Sequence, residues 1–156
     1  MVHRLENLFA NTSDSELSGF CLSAGSSAAS DDLMTLVEEL TNHETYFYRH
    51  PEQLQTLYDS ILMPLLKKRI KQGDRKITLW SAACSTGEEP FTLAMMLLDA
   101  LKRLGEVREI PLGQFSFVND WNIRIVGSDI SKKALDLAKA GVYVTKPVAS
   151  FREMPQ

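Results

Sequence analysis

Trp80-Ser81-Ala82-Ala83-Cys84-Ser85-Thr86-Gly87-Glu88-Glu89-Pro90 is the stretch on which the fold turns. The residues leading into it, 76–81, are few, apolar and include Ile, Thr and Trp, which predicts a buried strand. From Ser81 to Gly87 every residue is small, so the backbone can approach a ligand closely. Beyond it Leu93, Ala94, Met96, Leu97, Ala100, Leu101 and Leu104 recur at helical spacing, which predicts a helix over about 88–103. A strand that breaks into a small-residue turn and then a helix is where an open parallel sheet binds its ligands. The free amides of the new helix face the same crevice.

Downstream, residues 105–121 form a connection of mixed composition. A second strand is expected over about 122–127, carrying Ile123, Ile125 and Val126, and ending at Ser128-Asp129. Ser131 is placed to cap a helix that runs through Ala140, and Gly141 to stop it. Strand, helix, strand, helix at these lengths predicts a βαβα unit and a parallel sheet.

Upstream, Leu33, Leu36, Val37 and Leu40 follow the acidic pair Asp31-Asp32 at helical spacing. A longer helical pattern runs from Glu52 to Leu66, with Pro64 expected to kink or restart it. It closes on a basic last turn, 67–71, and Gly73, both favouring termination and a solvated face. Residues 11–32 are rich in Ser, Ala, Gly and Asp and predict a flexible linker, preceded by one amphipathic turn at Leu5, Leu8 and Phe9. The organisation expected is therefore a flexible segment over 1–32, a helical segment over 33–73, and an α/β domain over 74–156.

At 156 residues, with 44% hydrophobic and 24% charged residues, the composition is that of a globular protein, not a disordered chain. A net charge of −3 offers no footprint for nucleic acid or an anionic membrane surface. No apolar run approaches the roughly 20 residues that cross a bilayer, and the first ten residues lack the apolar core of a signal peptide. A cytoplasmic protein with reduced thiols is expected. Cys21 and Cys84 lie far apart and do not cluster with His3, His43 or His50, so no metal site is expected.

The crevice motif lacks both G-x-G-x-x-G and G-x-x-x-x-G-K-[ST]. Two adjacent glutamates would repel a phosphate and suit a cationic or hydroxyl-rich ligand, such as S-adenosylmethionine with its sulfonium, ammonium and ribose diol. Ser85-x-x-Glu88 and Thr86-x-x-Glu89 also match capping boxes, so either glutamate reads equally as a cap or as a ligand contact. Asp129, at the second strand end, stands where such folds hold ribose hydroxyls, and it could also cap the helix that follows.

Three motifs carry a resemblance. His43-Glu44-Thr45-Tyr46-Phe47-Tyr48-Arg49 resembles the N-x-T-x-F-F-R signature of CheR-type protein-glutamate methyltransferases. Residues 80–90 resemble that family's W-S-A-(A/G)-(A/C)-S-T-G-E-E-P-Y motif, and Ser128-Asp129-Ile130 followed by Ala138-Lys139-Ala140-Gly141-Val142-Tyr143 matches its S-D-I…A-x-x-G-x-Y. The resemblance covers roughly 33–143.

It implies a partial Rossmann-like class I methyltransferase sheet preceded by helices, with S-adenosyl-L-methionine as cofactor and methyl-accepting chemotaxis receptors as partners. By the same resemblance His43, Thr45, Arg49, Glu89 and Asp129 fall on cofactor-binding positions, His43 standing where the family usually has asparagine. Arg49 is the catalytic candidate, since a guanidinium binds a carboxylate, whether the cofactor's or the substrate's. A substrate glutamate, ionised at neutral pH, is itself the nucleophile, and the protein supplies orientation and a partly dry site. Tyr46, Phe47 and Tyr48 could line the sulfonium, but docking of the segment is the expected role of at least two of them. Family members continue with further strands, including an F-R-N segment on the adenine side, which the reading of this chain as a partial domain leaves out. Its competitor is a methyltransferase-like module that binds without turnover.

Overall fold

The computed structural model describes residues 2–26, 31–42, 44–143 and 150. His43 therefore lies outside the described residues, as does the stretch over 151–156. The chain opens with three helices, α1 (Val2–Phe9), α2 (Asp14–Ser26) and α3 (Asp31–Leu40). A loop over 41–50 leads into α4 (Pro51–Thr56), a π-helical turn (Leu57–Leu62) and α5 (Met63–Lys71). Then come β1 (Lys76–Ala82), α6 (Glu88–Arg103), β2 (Val107–Ile110), β3 (Gln114–Phe117), β4 (Asn122–Ser128) and α7 (Lys132–Ala140).

β1 and β4 pair in parallel, from Lys76 opposite Asn122 to Ala82 opposite Ser128. Both strands thus end level with one another, and the loops that follow them meet at one rim. Parallel neighbours need a crossover, and α6 supplies it. The core lies between this strand pair, α6 and the α4–α5 rod: Leu62, Leu66, Ile77, Met96, Leu97, Ala100, Leu101 and Val107 are all buried. Leu66, Leu97 and Leu101 are among its largest wholly buried side chains, each stabilising by about 1.5–3 kcal/mol relative to exposure.

Pro64 does restart the helix. Met63 donates its amide to Tyr58, five residues back, which closes the π-turn immediately before α5. A widened turn accommodates the missing proline amide that a regular α-turn would leave as a gap.

Two segments differ from expectation. Residues 14–26 are helical where composition predicts a linker. Ser13 and Glu16 form a reciprocal cap: the Ser13 amide donates to Glu16 Oε2 (2.9 Å) and the Glu16 amide to Ser13 Oγ (3.4 Å). Phe20 then packs edge-on against Phe9, centroids 5.1 Å apart, holding α2 to α1. The mixed connection over 105–121 is an antiparallel hairpin, with Val107 opposite Phe117 and Ile110 opposite Gln114. It is anchored at the buried Glu106, whose carboxylate accepts from Arg75, Asn119 and Trp121.

Candidate functional site

The rim shared by β1 and β4 is closed by hydrogen bonds between its two loops. Cys84 donates its amide to the Ser128 carbonyl (2.9 Å), and Ser85 donates its amide to Asp129 Oδ2 (2.7 Å). Gly127 permits this approach: a Cβ there would stand 2.9 Å from Cys84 Sγ. Along the β1–α6 loop, Ala83 (φ 60°), Ser85 (φ 48°) and Gly87 (φ 99°) are left-handed. For the two non-glycine residues that is strained backbone of the kind that functional loops hold in place by surrounding contacts.

Neither capping box forms. Gly87 is the N-cap of α6 and no side chain caps it. The two glutamates instead part company. Glu88 is buried, its carboxylate accepting from the hydroxyls of Thr86 (2.6 Å) and Ser150 (2.8 Å). Glu89 turns outward to a cavity, with one carboxylate oxygen accepting the hydroxyl of the buried Ser81 (2.6 Å). Asp129 is not the cap of α7 either. Ser131 is, accepting the Ala134 amide, while Asp129 Oδ1 accepts the amide of Ser131 (2.9 Å).

The loop over 41–50 forms the opposite wall. Phe47 is buried and meets Tyr143 edge-on at 5.0 Å, and Tyr48 packs against the core, so two of the three aromatics dock the segment. Tyr48 is left-handed (φ 57°), and its amide donates to Thr92 Oγ1 (3.1 Å). The reversal at Tyr48 lets Phe47 point inward while Arg49 stays exposed at the cavity, its guanidinium 6.0 Å from the centre of the Tyr46 ring.

Between the walls lies a cavity of about 300 Å³ lined by Thr45, Arg49, Glu89 and Asp129, together with Tyr46, Ala83 and Ser85. Four of the five residues singled out from sequence therefore share one cavity, and the fifth, His43, falls outside the described residues. Sequence reading missed Ser81 and Thr92, which hold Glu89 and Tyr48, and it named Ser131 for its helix cap without its bond to Asp129. Of the three, only Ser131 carried a signal.

Electrostatically the cavity is acidic, with Glu44, Glu89 and Asp129 facing one arginine and His50. Burial first, and then the negative charges of Asp129 and Glu89, push the Cys84 thiol up from its ordinary range. A reactive thiol needs the opposite shift, so Cys84 is a packing residue. Acidic groups suit a ligand that is cationic and bears hydroxyls, and Arg49 suits its carboxylate. S-adenosylmethionine combines all of these. Among the described residues no His, Cys, Asp and Glu group could hold a metal ion, and no helix is long and apolar enough to cross a membrane.

The family described as "CheR methyltransferase, SAM binding domain" matches residues 43–154. A chemotaxis protein methyltransferase of Borreliella burgdorferi is 32% identical over 111 residues, covering 71% of this chain and 35% of that protein. Chemotaxis protein methyltransferase 2 of Pseudomonas aeruginosa is 36% identical over 119 residues, 76% of this chain and 34% of its own length. That of Vibrio cholerae is 29% identical, across 80% of this chain and 37% of the relative. The chain thus spans about a third of the length of the curated relatives it matches. With a parallel βαβα unit, an acidic crevice at its strand ends and these matches, the chain belongs to the CheR methyltransferase family, and residues 43–154 match that family's S-adenosylmethionine-binding domain.

Proposed function

We propose that the cavity holds S-adenosylmethionine for methylation of glutamate side chains on methyl-accepting chemotaxis receptors, the reaction of a protein-glutamate O-methyltransferase. The observation that supports this most is the convergence of Thr45, Arg49, Glu89 and Asp129, from three separated stretches, on one cavity. When bound, the cofactor supplies a methyl group made electrophilic by its sulfonium, for which an ionised glutamate is a sufficient nucleophile. Asp129 offers its carboxylate to ribose hydroxyls, and Glu89 offers the oxygen not bonded to Ser81 to a cationic group. Arg49 binds a carboxylate at the open side of the cavity. Thr45 adds a hydroxyl on the facing wall, and His43 a further contact from the same loop. None of these residues has to move a proton; they orient and exclude water.

The same reading sets the protein in the cytoplasm, facing the receptors' cytoplasmic domains. It divides the chain into an N-terminal segment over 1–32, a helical segment with the cofactor-contacting loop over 33–73, and the α/β domain over 74–156.

Transfer of tritiated methyl from S-adenosylmethionine to receptor-containing membranes tests the proposal. Base-labile label, lost in Arg49→Ala, is the expected result. Cofactor binding with no label would instead favour a methyltransferase-like binding module.

A further inference from the structure

Glu38 does not line the cavity, yet a short chain of hydrogen bonds joins it to the residues that do. It belongs to α3, whose last residue precedes Thr41 and the loop forming one cavity wall. Its carboxylate accepts the Ser131 hydroxyl, 2.7 Å from each oxygen. Ser131 is fully buried and caps α7, so its hydroxyl also accepts the Ala134 amide at 2.9 Å. A serine hydroxyl has one hydrogen to give. With that hydrogen committed to Glu38, its lone pairs are left to turn toward α7, and the residue is locked. The Ser131 amide donates to Asp129 Oδ1, and the other Asp129 oxygen takes the Ser85 amide.

Three segments distant in sequence are tied by this path: α3, the turn from the β4 end to the α7 cap, and the β1–α6 loop. A carboxylate beside a helix N-terminus is favoured by the helix dipole, and the Lys133 amide also reaches Glu38 at 3.5 Å. We infer that Glu38 is a positioning residue: through Ser131 it sets Thr41 and Asn42, which follow α3 and line the cavity, at a fixed distance from Asp129, and so sets the width of the cofactor cavity. The inference rests on the cavity being the cofactor site. A residue that merely fastened α3 to α7 would contribute to stability without coupling to Asp129.

The test is titration of the isotopically labelled full chain with S-adenosylhomocysteine, followed by amide shifts of Thr45 and Ser85, in wild type, Glu38→Ala, Asp129→Ala and the double variant. Glu38→Ala is expected to weaken binding about tenfold, the size of one hydrogen bond to a charged group. In the double variant the two losses should combine to clearly less than their product, because both act on one path. Glu38→Gln, whose amide oxygen still accepts the Ser131 hydroxyl, should recover binding to within about threefold. Should Glu38→Ala not fold, Glu38→Asp carries the test, with weaker binding expected and wild-type affinity overturning the inference. Wild-type affinity in Glu38→Ala, or losses that simply multiply, also overturns it. A wild-type chain that binds nothing overturns the cofactor reading as well, so the two failures are told apart.

Discussion

Ser85 donates its backbone amide to Asp129 across 44 residues of sequence, at 2.7 Å, and this bond fixes the two crevice loops to one another. The partners serve each other. Ser85 is held in a left-handed conformation (φ 48°) that costs about 1–2 kcal/mol for a residue with a Cβ, and the Asp129 carboxylate is turned so that each oxygen meets one amide.

Asp129→Asn follows directly. An amide side chain offers one oxygen, so either the Ser85 or the Ser131 amide loses its acceptor. Leaving one such group unpaired costs about 1–3 kcal/mol. Urea denaturation should show that loss without a change in slope, since the folded surface is unchanged.

Gly87→Ala should be the more damaging of two glycine replacements. At φ 99° a Cβ would come within 2.6 Å of the Tyr143 hydroxyl and 2.9 Å of the Ala138 Cβ. Overpacking of that kind costs about 1–3 kcal/mol, added to the backbone strain. Gly73→Ala meets nothing within 4 Å and should show the strain alone. Equal destabilisation of the two variants would contradict the contacts drawn around Gly87.

Glu106 sets an acid limit on stability. Hydrogen bonds from the Arg75 guanidinium first, and from Asn119 and Trp121, hold its carboxyl below the ordinary carboxylate range against the opposing effect of burial. A depressed folded value means the stabilisation is complete above the unfolded value of about 4.3 and is lost as pH falls through the folded one. Glu106→Ala should flatten that part of the pH–stability curve and, by stranding Arg75, cost about 3 kcal/mol at neutral pH.

Tyr143 sets an alkaline limit of opposite sign. Burial, then the negative charge of Glu88 and that of Cys84, push its hydroxyl up to about 12. The neutral form is the one the fold holds, donating to the Thr86 carbonyl at 2.8 Å. Its contribution is full below the ordinary tyrosine range near pH 10 and is lost as pH rises toward 12. Tyr143→Phe should remove that dependence at a cost of about 1 kcal/mol near neutrality.

Elements whose reasons are local were legible in the sequence. α6 and its bounds follow from Leu93, Leu97, Ala100 and Leu101 at helical spacing, and α7 from the Ser131 cap and the left-handed Gly141. α2 was hidden because Ser, Gly and Ala predict a linker; the Ser13-x-x-Glu16 box was its one visible signal. The β2–β3 hairpin depends on cross-strand pairing and on Glu106 beneath it, neither of which is a local property. The same holds inside the site. Glu88 and Glu89 are indistinguishable by spacing, and it is Ser150 on one side and Ser81 on the other that send one into the interior and one to the cavity.

On the proposed function, S-adenosylmethionine binds in the cavity between the Thr45–Arg49 wall, Glu89 and Asp129. Titration of the labelled chain with S-adenosylhomocysteine tests it most directly. A single saturable site is predicted, with the amides of Thr45, Tyr46, Ser85 and Asp129 shifting together and Asp129→Ala weakening binding at least about tenfold. Shifts that cluster elsewhere, or an affinity that Asp129→Ala leaves unchanged, would place the cofactor outside this cavity.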